Sequence, residues 1–297
     1  MQGILIINKP QGYTSQDVVS KVKKILNIKK SGHTGTLDPL ATGVLPIMLG
    51  DYTKLSKYLI EHDKTYIARI KLGEKKDTGD EEGKVTETKE VLRESLEKEN
   101  VEKVLQSFLG KQKQTPPIYS AIKINGKKLY EYAREGKEVE IPKRDIEIYN
   151  INLKSIDIKK KEIEFEVECS KGTYIRVLCE DIAENLGTVG FMSYLNRTKV
   201  DKFEINKAIT LEELENNKEN REFLEKHLIK MDTIFSENPN IILNNRKTEL
   251  FFNGVLLTFE KQDGLYNIYN NDIYLGTGLI KNNLLKRDVV IIENVEK

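Results

Sequence analysis

Eight consecutive residues, Glu162 to Cys169, alternate without a break: Glu162, Glu164, Glu166 and Glu168 against Ile163, Phe165, Val167 and Cys169. Successive side chains of a β-strand point to opposite faces, so this pattern belongs to a strand with one wet and one buried face. Lys64 to Gly73 repeats it, with Tyr66, Ala68, Ile70 and Leu72 on one side and Thr65, Arg69 and Lys71 on the other. Gln2 to Asn8 reads as a short buried strand. Helical spacing intervenes elsewhere. Thr14-Ser15 offers an N-cap, Asp17 sits in the first turn, and Val18, Val19, Val22, Ile25 and Leu26 form a stripe. Val101 to Leu109 reads as a helix ended by Gly110, and Thr210-Leu211-Glu212-Glu213 as a capping box opening another. After a Lys171-Gly172 turn, Thr173 to Val177 reads as extended chain entering a helix that runs to about Leu186 and is capped by Gly187. Strands and helices without regular βαβ alternation predict an α+β domain on a mixed, largely antiparallel sheet flanked by helices.

Beyond Met231 the composition shifts to Asn-rich turns between short apolar strands such as Tyr266–Tyr269 and Ile273–Leu275. This predicts a small all-β module at 232–297, after a main domain at 1–231. The longest apolar runs, Ile4–Ile7 and Val44–Leu49, are far shorter than the roughly 20 residues of a membrane span. No basic segment leads into an apolar stretch at Met1-Gln2-Gly3, so no secretory signal and a cytoplasmic location are expected. Cys169 and Cys179 match no CxxC pattern and read as two reduced thiols. The 297 residues carry a net charge of +1, but the charges are segregated. Lys111 to Arg144 holds nine Lys/Arg against four Glu, and Glu74 to Glu102 holds eleven acids against six bases. A basic face on a neutral protein is therefore allowed, and so is a merely solvated surface.

The segment Lys30 to Gly43 packs three glycines, His33 and Asp38 into a loop with little apolar content. Asp38-Pro39 biases the aspartate to extended geometry and presents its carboxylate on a stiff turn. No GK[ST] follows the glycines, so this is not a phosphate loop of the Walker type. The histidines His33, His62 and His227 are too scattered to share a metal. A lone histidine is commonly a structural donor, but among glycines His33 favours contact with something external.

Gly32-His33-Thr34-Gly35-Thr36-Leu37-Asp38-Pro39-Leu40-Ala41-Thr42-Gly43-Val44-Leu45-Pro46 resembles the catalytic motif of the TruB family of pseudouridine synthases. Further likenesses follow in order. Asn8-Lys9-Pro10-Gln11-Gly12-Tyr13-Thr14-Ser15 resembles its N-terminal motif, and Asp63-Lys64-Thr65-Tyr66 the strand supplying an active-site tyrosine. Thr115 to Ala121 resembles the entrance to an RNA-gripping insertion, placed at about 111–144. Gly172-Thr173-Tyr174-Ile175-Arg176 resembles the motif supplying the arginine partner of the aspartate, and the C-terminal module a PUA domain. Two departures stand out: Asn8 where the family often has Asp, and Asn196 in Tyr194-Leu195-Asn196-Arg197, where Leu-Arg-Arg is common.

The resemblance implies an isomerase acting on uridine 55 in the T-loop of tRNA. The N1–C1′ bond breaks, the base turns, and C5 joins C1′; no cofactor or metal is expected. Asp38 would act as nucleophile at the sugar or as base at C2′, and both stay open. Arg176 would hold the carboxylate charged and oriented, though a lone arginine is equally an ordinary surface ion pair. Tyr66 reads from its strand as a core aromatic; the resemblance implies that it stacks under the target base. A uridine inside a folded loop must be flipped out, and His33 is implied to fill the space it leaves. Tyr174 and Leu195 are implied to line the substrate site. Lys9 acts near the substrate or braces the loop. Lys123, Lys127 and Arg134 are candidates for RNA phosphates. The expected partner is tRNA, at its T-arm and T-loop, with no membrane and no obligatory protein partner, and the chain is expected to be a monomer. Two alternatives remain: a synthase directed by a guide RNA, and a non-catalytic RNA-binding or tRNA-folding protein.

Overall fold

In the computed structural model the two alternating segments are neighbours: Lys64–Leu72 and Glu162–Cys169 pair antiparallel, with Ala68 opposite Phe165. The structure describes residues 1–291 apart from 61, 121 and 138, so Ala121 and the last six residues of the C-terminal module lie outside the described residues. The pair sits in a nine-stranded sheet. Its order is Gly3–Lys9, Thr42–Leu49, Gly190–Val200, Lys64–Leu72, Glu162–Cys169, Arg144–Asp157 and Gly110–Gln114. Ser31–His33 adds beside Thr42–Leu49, and Phe203–Glu204 beside Gly190–Val200. One join among these is parallel: Asn196 lies opposite Thr42 and Arg197 opposite Gly43. The sheet is mixed and largely antiparallel, as the alternation predicts.

The apolar faces of the central strands meet two helices, Lys98–Gln106 and Ile175–Asn185, in one cluster that includes Ala68, Ile163, Phe165, Val101, Leu178 and Ile182. Each such side chain contributes about 1.5–3 kcal/mol on burial. The opposite face stays wet. There Arg69 pairs with Glu164 at 2.8 Å and Lys154 with Glu166 at 3.4 Å. Exposed pairs of this kind are worth about 0–1 kcal/mol, so the glutamate row is a solvated ladder.

The runs Ile4–Ile7 and Val44–Leu49 lack alternation because both faces of their strands are covered. Val18, Val19 and Val22 of the helix Ser15–Ile25 press on Leu5, Ile7, Leu45 and Ile47. Thr14 caps that helix: its Oγ1 accepts from the Asp17 N–H at 3.1 Å, and Asp17 accepts from the Thr14 N–H at 2.9 Å. On the other face Ile4, Ile6, Val44 and Met48 meet Tyr52, Leu55, Met231, Phe235, Val289 and Ile291.

Val289 belongs to a second, five-stranded sheet ordered Asn240–Ile242, Gly264–Asn270, Ile273–Lys281, Leu284–Val290 and Leu257–Thr258. This small curled sheet is PUA-like and has its own core around Ile241, Phe251, Ile268 and Leu285. It also holds a helix, Asn245–Phe252, whose N-cap Asn244 accepts from the Lys247 N–H at 2.9 Å. Asp288 ties it to the short helix Ser56–Leu59, accepting from the Tyr58 hydroxyl at 2.7 Å and pairing with Lys57.

Two helices differ from expectation. The one expected at Val101 to Leu109 spans Lys98–Gln106, and Gly110 opens a strand. The stretch Thr173 to Val177 is not extended throughout; a helix begins at Ile175. Its β-branched residues favour a strand. Packing decides otherwise, because Ile175, Leu178, Cys179, Ile182 and Ala183 bury one helical stripe against the sheet. Cys169 and Cys179 are free and buried. Among the described residues no helix is long and apolar enough to cross a membrane.

Candidate active site

The loop that carries Asp38 leaves the strand Ser31–His33 and returns at Thr42, beside the one parallel join. Its apolar residues anchor it, contrary to the expectation of little to bury: Leu37, Leu40 and Ala41 enter the main core cluster. The Leu37 N–H donates to Ser15 Oγ at 2.8 Å. From below, Lys9 Nζ donates to the carbonyls of Pro10 at 3.0 Å, Tyr13 at 2.6 Å and Pro39 at 3.2 Å. Lys9 is fully buried and spends its three donors on backbone, which fits the bracing alternative. Burial pushes its ammonium down to about 8, with the Asp38 charge opposing.

The far end of the loop is held by Arg197, which is 1% exposed. Its Nε donates to the Val44 carbonyl at 2.8 Å and its Nη2 to the Gly35 carbonyl at 3.3 Å. Gly43 adopts φ of 104°, and a Cβ there would lie 2.2 Å from the Arg197 carbonyl oxygen. Glycine is what lets the two strands approach at this seam.

Asp38 points at Arg176, with Arg176 Nε 3.1 Å from Asp38 Oδ2. Arg176 sits in the first turn of the helix Ile175–Asn185, and the rest of its guanidinium is committed as well. Nη1 donates to the Thr78 carbonyl at 3.0 Å, Nη2 to the Tyr119 carbonyl at 2.9 Å, and Asp80 Oδ2 lies 3.5 Å from Nη1. Two carboxylates thus share one buried cation. Burial pushes the Asp38 carboxyl above its ordinary range; Arg176 pulls it back and Asp80 pushes it further up. The Arg176 charge favours the ionised carboxylate, as expected of it, against the desolvation of the site.

Asp38, Tyr66, Tyr174, Arg176, Leu195 and Arg197 line one cavity of about 880 Å³, within the range of small-ligand sites. Tyr66 is 8% exposed and belongs to the core cluster while bordering the cavity, so the pocket lies at the edge of the core. Burial pushes its phenol up to about 12. Leu195 lies opposite Ala68 on the neighbouring strand. Tyr174 is clamped by Gln114, which accepts from its N–H at 2.8 Å and donates to its carbonyl at 3.1 Å. That clamp ends the extended chain and sets the start of the helix.

His33 does not line this cavity. It is half-buried on its strand and accepts from the Gly35 N–H at Nδ1, 3.3 Å away. Burial and the Arg197 charge hold its pKa below the ordinary imidazole value, so the ring is neutral at pH 7. Lys123, Lys127 and Arg134 also stand outside. They belong to an excursion between Gln114 and Arg144, which are paired across adjacent strands. Lys127 pairs with Glu135 at 2.5 Å and lies over the Tyr132 ring at 4.9 Å, and Lys123 is exposed on a two-stranded hairpin. Arg134 stacks over Tyr130 at 5.4 Å, and Tyr130 is part of the cavity wall.

Asp80, Tyr119, Tyr130 and Arg197 complete the site and were not singled out as site residues in the sequence. Asp80 is lost in the acidic run Glu74 to Glu102, and only its 4% exposure separates it from its neighbours. Of the two departures, Asn8 is a strand residue paired with Val44. Asn196 donates to the Tyr194 hydroxyl at 3.2 Å, and its buried Oδ1 has no hydrogen-bond partner among the described residues.

The fold is that of the pseudouridine synthases. The chain superposes with a TM-score of 0.70 on a chain of an H/ACA RNP bound to a substrate RNA containing 2′-deoxyuridine, at 24% identity, covering 97% of this chain and 84% of that one. Residues 23–175 match the N-terminal domain of the TruB family pseudouridylate synthases, and residues 176–236 the tRNA pseudouridylate synthase B C-terminal domain. The tRNA pseudouridine synthase B of Clostridioides difficile is 42% identical over 94% of both chains. That of Psychrobacter arcticus is 47% identical over 84% of this chain and 65% of its own length. The chain belongs to the TruB family of pseudouridylate synthases.

Proposed function

We propose that the chain isomerises uridine 55 in the T-loop of tRNA to pseudouridine, acting alone and as a cytoplasmic monomer. The observation that carries this is the Asp38–Arg176 pair facing Tyr66 in a cavity of nucleotide size. Flipping the uridine out of its loop costs on the order of a few kcal/mol, offset by stacking in the pocket. Asp38 supplies the carboxylate at the sugar. Arg176 fixes its direction through the contact at Nε. The reaction only exchanges N1–C1′ for C5–C1′ and moves a proton from C5 to N1, so it balances without a second substrate.

The insertion at about 111–144 stands beside the cavity through Tyr130 and is read as the part that grips the T-arm. The chain is read as a catalytic domain at 1–231 and an RNA-binding module at 232–297. That module carries seven Lys/Arg and nine Asp/Glu, so its contacts with RNA are few or depend on shape. The test is tritium release from C5-labelled uridine in unmodified tRNA by the purified chain with nothing added, with the product mapped by carbodiimide primer extension. Release with a stop in the T-loop supports the reading. No release from folded protein on intact tRNA overturns it and points to a guide RNA or a binding role.

A further inference from the structure

The helix Ile175–Asn185 starts at Tyr174 with no hydrogen bond from that residue's own side chain to cap it. Its cap comes from another strand. Gln114, buried at the end of Gly110–Gln114, accepts from the Tyr174 N–H at 2.8 Å and donates to the Tyr174 carbonyl at 3.1 Å. That carbonyl also takes the first bond of the helix, from the Leu178 N–H at 3.1 Å. A donor and an acceptor on one residue leave the Gln114 amide a single orientation, so the clamp fixes the first turn. Arg176 lies in that turn. The same stretch of chain holds Arg176 a second time, because the Tyr119 carbonyl accepts from its Nη2 at 2.9 Å. Between Gln114 and Tyr119 stand Pro116 and Pro117, whose rings fix their φ angles. This stiff strut takes Arg176 by the backbone behind it and by the guanidinium at its tip, while Nε faces Asp38 at 3.1 Å.

We infer that Gln114 is a positioning residue for the reaction: its clamp on Tyr174 sets the helix turn that keeps Arg176 Nε on the Asp38 carboxylate. Gln114 is not among the residues that line the cavity, so it acts through Arg176 and not on the RNA. Helix ends without such partners fray, and a catalytic group needs placement to within about 0.5 Å. The inference deepens the proposed function and rests on it for the catalytic readout alone.

The test uses Gln114→Met, of nearly the same length without either bond, and Gln114→Asn, which keeps the amide but is too short to make both bonds. Each is made with Arg176 intact and with Arg176→Met, and folding is checked by near-ultraviolet circular dichroism. The first readout is the titration of the Asp38 carboxyl by carbon-13 NMR in aspartate-labelled protein, which needs no catalysis. Arg176 holds that carboxyl down, so Gln114→Met is expected to raise its midpoint by about half a pH unit or more. Gln114→Asn is expected to raise it by less. With Arg176→Met present, Gln114→Met is expected to add no shift. An unmoved midpoint, or the same shift repeated without Arg176, overturns the inference. The second readout is single-turnover tritium release at saturating tRNA. Gln114→Met is expected to slow it about tenfold or more with the dissociation constant within about threefold of wild type. In the Arg176→Met background the further loss is expected to stay below about twofold. A loss carried by binding, or the full loss repeated in that background, overturns the inference. Should Gln114→Met fail to fold, Gln114→Asn carries both readouts. Absence of release by the wild type itself would sink the proposed function, and the titration would still decide the role of Gln114.

Discussion

Replacing Arg176 by Met separates its electrostatic role from its bulk. The side chain is 8% exposed and makes the 3.1 Å contact to Asp38, so its loss leaves a carboxylate facing Asp80 without its ion-pair partner. A hydrogen bond to a charged group is worth about 1.5–3 kcal/mol, and 1.36 kcal/mol corresponds to one pKa unit. That range converts to about one to two units. The Asp38 side chain is 36% exposed, and water reaching it screens the loss, so the lower end applies. The Asp38 carboxyl, already raised by burial, therefore climbs about one unit further. The assay is single-turnover tritium release from pH 5 to 9 at saturating tRNA. The acid limb of the Arg176→Met profile is expected to lie about one unit above that of wild type, with activity partly recovered at high pH. Arg176→Lys keeps the charge but loses the fork and is expected to fall between. Profiles of the same shape that differ only by a constant factor would refute the electrostatic reasoning and leave Arg176 a purely geometric support.

Three further predictions concern its neighbours. Asp80→Asn removes a charge that pushes the Asp38 carboxyl up, so its acid limb is expected to move to lower pH, opposite to Arg176→Met, in the same assay. Gly43→Ala places a Cβ 2.2 Å from the Arg197 carbonyl at a positive φ; a cost of about 2–4 kcal/mol is expected from the left-handed backbone and the overpacking, read from the urea midpoint. Lys9 has a folded pKa of about 8, below its unfolded value of 10.5, so the unfolded chain binds more protons between those values and stability rises with pH there. Across that window wild type is expected to gain up to about 3 kcal/mol relative to Lys9→Met by chemical denaturation, and no gain would contradict the buried charge.

The strands Lys64–Leu72 and Glu162–Cys169 were legible because each has one wet face, which imprints a period of two on the sequence. The start of the helix at Ile175 was not. Thr173, Ile175 and Val177 favour extended chain locally, and the clamp from Gln114 that ends it comes from a strand 60 residues away. At the site, Asp38, Tyr66 and Arg176 were reached through motif resemblance, and the geometry brings them to one cavity. His33 was placed by the glycines around it, which hide that Ser31 to His33 pairs as a strand. Asp80 and Arg197 carry no local signal of burial. An acid in an acidic run and an arginine on an alternating strand look solvated until the tertiary structure closes over them.

The proposed function puts the chemistry on the Asp38 carboxylate and leaves the rest of the site to bind and orient. The most direct test is single-turnover tritium release by Asp38→Asn at saturating tRNA, with the dissociation constant measured on the same preparation. Binding within about threefold of wild type is expected, since one cavity contact of many is altered, with no detectable release. Release within tenfold of wild type would contradict it and move the chemistry to another residue of the cavity.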